Sequence, residues 1–89
     1  MTNALPFERM TIGERTVVLT NLAQHLQISA AIAQRDGDPI WKFMSELAVR
    51  LEASREEVAA DPQRGNEVVR KAVRLLSEFE LHRPKGSVH

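Results

Sequence analysis

"TIGERTVVLTNLAQHLQISAAIAQRDGDPIW", residues 11–41, decides most of the fold. It opens with a capping box. The Thr11 hydroxyl can accept from the Glu14 backbone N–H, and the Glu14 carboxylate can reach back to the Thr11 N–H. Gly13 weakens this first turn slightly. No proline interrupts the run to Gln34. At 100° per residue, Ile12, Val18, Leu19, Leu22, Ala23, Leu26, Ala30 and Ala33 gather on one stripe. Val17, Ile28 and Ile32 gather on a second, opposite stripe. One stripe suits a helix packed on a single layer. Two suit a helix contacted from both sides, which a small domain cannot easily arrange alone. The pattern therefore predicts a homodimer or a partner seated on Val17, Ile28 and Ile32. The competing expectation is that Leu5 and Phe7 of the N-terminal arm cover that stripe within one chain.

The end of the stretch predicts a turn. Gly37 can take positive φ and end the helix. Asp38 can cap the next one, with Pro39 at its first position, where a missing N–H costs nothing. "DGD" hints at a calcium loop, but the other ligands of such a loop are missing from the sequence that follows.

Beyond the turn, a second helix is expected over residues 39–60. Ile40, Phe43, Met44, Leu47, Leu51 and Val58 share one of its faces, with Trp41 and Ala48 at the edge. Trp41 is placed to meet the core or a partner. Asp61 and Pro62 repeat the pattern of Asp38 and Pro39. A helix could start there, but Gly65 and Asn66 favour a turn over 61–65. The third helix is then expected over 67–81, with Val68, Val69, Ala72, Val73, Leu75, Leu76 and Phe79 on its apolar face. Pro84 stops it. Residues 1–10 read as a loosely packed arm, residues 11–82 as one helical domain, and residues 83–89 as a polar tail. Met10 could equally serve as a start, leaving the expected helical core intact. The fold class expected is all-α, a small bundle of three main helices with a long first helix, assembled as a homodimer.

Composition narrows the function. The chain has 89 residues, 43% of them hydrophobic, which is enough for one small folded domain. It has no cysteine, so disulfides, thiolate metal sites and cysteine nucleophiles are excluded. A small domain without disulfide staples points to the reducing cytoplasm. No segment approaches the roughly 20 apolar residues of a membrane span, and "MTNALPFERM" has no signal-peptide core. Twelve Lys and Arg balance twelve Asp and Glu. Binding a polyanion would thus need a local basic patch.

One stretch, "ELAVRLEASREEVA" at residues 46–59, is similar to the start of a helix-turn-helix DNA reader. Ala48 would be the small residue at the helix crossing and Leu51 would point into it. Ser54 would cap the recognition helix, Glu57 would complete its capping box, and Val58 would anchor it. Against this, Glu52 occupies the turn position that favours glycine. Asp61–Pro62 would limit the recognition helix to about two turns. Glu56 and Glu57 stand beside Arg55 only, and paired acids repel phosphates. A continuous helix keeps Leu47, Leu51 and Val58 in phase just as well.

A basic group, Arg64, Arg70, Lys71 and Arg74, lies around the third helix. Arg70 and Arg74 share a face and could clamp a phosphate or an acidic surface. The Glu67–Lys71 and Arg74–Glu78 spacings also suit ion pairs along a solvated face. His25, His82 and His89 do not share a helix turn, and no phosphate loop or hydrolase motif occurs. His25 reads as a polar residue beside the first helix's core. The expectation is therefore a non-enzymatic adaptor or regulator without metal or cofactor, acting through protein–protein contact. The alternative is a dimeric helix-turn-helix regulator using Ser54, Arg55, Arg64, Arg70 and Arg74.

Overall fold

The computed structural model describes residues 7–82. A short 3₁₀ turn, Phe7–Arg9, precedes four helices: α1 (Ile12–Arg35), α2 (Ile40–Ala53), α3 (Arg55–Ala60) and α4 (Pro62–His82). There is no strand among the described residues. Leu5 and the expected tail over 83–89 lie outside them.

The opening stretch folds as its residues dictate. Thr11 Oγ1 accepts from the Glu14 N–H at 3.1 Å, and Glu14 Oε1 accepts from the Thr11 N–H at 2.9 Å. At the other end Gly37 has φ +77°. The Gly37 N–H donates to the Gln34 carbonyl at 3.1 Å and the Asp38 N–H to the Ala33 carbonyl at 2.8 Å. That is a Schellman closure, and it satisfies carbonyls the helix end would leave bare. The Asp38 carboxylate then accepts from the Ile40 N–H at 3.1 Å and launches α2.

The expected second helix is in fact two. Ser54 (φ −117°, ψ 21°) separates α2 from α3. Its N–H and its hydroxyl both donate to the Arg50 carbonyl, at 3.0 and 2.7 Å. A side chain competing for a ladder carbonyl bends a helix, and the bend lets both Leu51 and Val58 enter the core, each 2% exposed. The start of α4 also departs from expectation. It begins at Pro62 rather than after a turn over 61–65. Asp61 Oδ1 accepts from the Arg64 N–H at 3.2 Å, and the Gly65 N–H donates to the Asp61 carbonyl at 2.8 Å. Cap plus proline outweighs the cost of one glycine in the helix.

Gly65 serves packing instead of a turn. An added Cβ there would lie 2.2 Å from Phe7 Cε2 and 3.0 Å from the Val58 carbonyl oxygen. Only a glycine lets the Phe7 ring lie directly on the α4 backbone. Phe7 is 7% exposed and belongs to the main core cluster. The end of the arm is thus a hook into the core, not a loose terminus. A chain started at Met10 would lose that core residue.

Arg15 holds the hook from the other side. It is almost fully buried. Its Nε donates to the Met10 carbonyl at 3.0 Å, its Nη1 donates to the Ala59 carbonyl at the end of α3, and its guanidinium lies 5.9 Å from the Phe7 ring centroid. A buried cation is tolerable when its donors are filled, and a helix C-terminus carries partial negative charge. The remaining core is aliphatic: Leu19, Leu26, Met44, Leu51 and Val58, closed by Phe79.

The described fold spans 41 × 34 × 16 Å between Cα atoms. Two helices in contact, with axes 8–10 Å apart and a Cα radius of about 2.3 Å, measure roughly 14 Å across. The molecule is two helices thick. Every helix therefore keeps a solvent face, and the second stripe of α1 lies on one: Val17 and Ile28 are exposed. Phe7 packs on α4 and does not cover it. Ile12, Phe43 and Val73, expected on buried faces, are exposed as well, and so is His25.

Candidate functional site

Phe43 and Leu47 stand one turn apart on α2 and meet Leu75 of α4, forming the apolar floor of an open groove. Arg50, Lys71 and Arg74 line its rim, with Glu46 as the single acid. Glu46 and Arg50 pair at 3.6 Å. Among the described residues Lys71 and Arg74 carry no ion pair, and the expected Glu67–Lys71 and Arg74–Glu78 pairs do not form. Phe43 is 64% exposed although it lines the groove beside the core residue Leu47. The groove holds about 190 Å³, room for one or two apolar side chains. Small-molecule pockets run to about 300–1,000 Å³, so this shape suits a peptide anchor better than a cofactor.

A second depression lies at the corner between α2 and α3. Glu52, Glu56 and Glu57 surround Arg55 there, with Ser54 at the break. Glu52 also accepts from Gln27 Nε2 at 3.1 Å, tying the corner to α1. The two depressions carry opposite charge: three cations to one carboxylate in the groove, three carboxylates to one cation at the corner.

These placements divide the residues expected to touch nucleic acid. Ser54 and Arg55 lie at the acidic corner. Arg70 and Arg74 lie together on α4, where with Glu67 and Lys71 they line a third depression that shares Lys71 and Arg74 with the groove. Arg64 is exposed at the start of α4 and lines none of these depressions. Ser54 does not cap α3 with its side chain. Of the expected partner-contact residues, Val17 and Ile28 face solvent, while Ile32 and Trp41 pack half-buried against the chain's own core.

The groove's two defining residues, Phe43 and Arg50, were not marked by the sequence as a site. The wheel does hold a signal for Phe43. It sits about 80–100° from the centre of the stripe that Met44 and Leu51 define, at the flank of the apolar face. What lies across from that flank depends on how α4 docks.

Among the described residues no cluster of three or more His, Cys, Asp or Glu is placed to hold a metal ion. No described helix is long and apolar enough to cross a membrane. Compared with known protein families, with curated proteins and with solved structures, the chain matches none.

Proposed function

We propose that this chain is a non-enzymatic adaptor or regulatory domain of the cytoplasm that works through protein–protein contact, with the α2–α4 groove as its docking surface. The observation that carries the reading is Phe43, a large aromatic residue left 64% exposed in a groove whose Lys71 and Arg74 have no ion pair among the described residues. Exposed aromatic and arginine side chains around a concave apolar floor are the usual anchors of an interface. The homodimer belongs to the same proposal in narrower form, through Val17 and Ile28 on the outer face of α1. Asn21 and Gln24 lie between them on that face, which favours a weaker contact than an unbroken stripe.

A second reading, the helix-turn-helix regulator, draws support from the break at Ser54, which a DNA reader needs and a continuous helix lacks. Its recognition element would be the six-residue α3, whose acidic surround repels phosphate.

One experiment separates these readings. A photo-crosslinking side chain is placed at position 43, 28 or 57 in the full chain within living cells. The adaptor reading expects discrete protein adducts from position 43 that vanish in the Lys71→Glu/Arg74→Glu background. The dimer expects an adduct of twice the chain mass from position 28. Nuclease-sensitive adducts from position 57, with none from 43, would replace the adaptor by the DNA reader.

A further inference from the structure

We infer that the α2–α4 groove receives an acidic amphipathic helix of another protein, its apolar face on Phe43, Leu47 and Leu75 and its carboxylates on Arg50, Lys71 and Arg74. The inference rests on the adaptor reading and adds the partner's chemistry.

Three observations select this occupant. The first is charge. The whole chain balances its cations and anions, yet the groove gathers three cations around one carboxylate, and that carboxylate is already engaged by Arg50. Among the described residues Lys71 and Arg74 stay unpaired although Glu67 and Glu78 stand one helical turn away. Arg70 adds a further cation just outside the rim. An acidic partner would find these cations unspent, and would be steered towards them over a Debye length of about 8–10 Å.

The second is the floor. Phosphate or a sugar phosphate has no use for exposed Phe43 with Leu47 and Leu75 beneath it. Single-stranded nucleic acid could stack one base on Phe43, but it gains affinity from successive aromatic platforms, and the groove has one. Leucines or similar residues spaced i, i+3 and i+7 fit an apolar strip between two helices.

The third is size and direction. Phe43 to Arg50 covers about two turns of α2, roughly 10 Å, which matches a short helical face. A second copy of this chain offers acids at the α2–α3 corner, but the residues around that depression include no large apolar anchor.

The test uses the full chain and labelled helical peptides with leucine at i, i+3 and i+7. One carries glutamate at the flanking positions, one glutamine and one lysine. A labelled single-stranded oligonucleotide is the fourth probe. Fluorescence anisotropy should show the glutamate peptide binding about tenfold more tightly than the glutamine one at low salt, with the gap closing as salt rises. Lys71→Glu/Arg74→Glu should invert the order of the glutamate and lysine peptides. Phe43→Ala should weaken all three. Equal binding of the glutamine and glutamate peptides would overturn the acidic class while leaving the adaptor reading in place. So would failure of every peptide alongside persistent protein adducts from position 43. Oligonucleotide binding tighter than any peptide, and lost in Lys71→Glu/Arg74→Glu, would overturn both. Salt-sensitive self-association lost in the same variant would hand the groove to a second copy and overturn the inference.

Discussion

Phe7 and Phe43 each have a cation nearby, and they meet opposite fates. Phe7 is closed in by Gly65 and Arg15 and is 7% exposed. Phe43 stands open between Arg50, Lys71 and Arg74. In the first case the chain supplies both the ring and the slot that receives it. In the second it supplies a floor and a charged rim but no occupant. The difference teaches how to sort aromatic residues in a thin helical fold. A ring matched by a glycine on the facing helix is structural. A ring facing unpaired charge is offered to something else.

The largest effect expected from breaking this contrast is Phe7→Ala. It empties a core slot and should cost about 3 kcal/mol, the lower end for a buried phenylalanine because a short 3₁₀ turn can relax. Urea unfolding would measure it. A cost like that of a surface substitution would mean the hook is not part of the core.

Gly65→Ala should come next, at roughly 1–3 kcal/mol, because the new methyl expels the Phe7 ring. In a Phe7→Ala background the ring clash is gone but the 3.0 Å approach to the Val58 carbonyl oxygen remains, so the cost should shrink. Alanine is favoured over glycine inside a helix by about 1 kcal/mol. A double-mutant cycle isolates the coupling; simple additivity would show that the ring and the glycine do not form one unit.

The smallest effect should be Phe43→Ala, within about 0.5 kcal/mol by the same unfolding experiment. Strong destabilisation would place Phe43 with Phe7 as a structural ring, and the groove would lose its anchor.

Local signals were legible in the sequence and distant ones were not. The Thr11–Glu14 box and the Gly37 ending act within a few residues and form as expected; Asp38 accepts from the Ile40 N–H, but α2 begins at Ile40, one residue after the expected Pro39. Ser54 reads equally as a helix start and as a mid-helix residue, because Leu47, Leu51 and Val58 stay in phase through a bend. Gly65 was misread because a helical glycine and a turn glycine look alike until Phe7 is seen against it. Arg15 was passed over because its acceptors are the Met10 carbonyl and the distant Ala59 carbonyl. Residues 70, 71 and 74 were visible as a basic group. Their union with Phe43 and Arg50 depends on the docking of α2 against α4, which helical periodicity does not encode.

The hook also bears on how fast the protein comes apart. α1 and α2 are joined by a tight turn and pack along each other, so their contacts are local and can form early. The Phe7–Gly65 contact joins residues 58 positions apart and must wait until α4 has docked. Interactions formed after the folding barrier slow unfolding and leave the folding rate almost untouched. The ring on the glycine is therefore a latch on lifetime. Removing it would shorten the time the native state persists far more than it would delay the state's arrival.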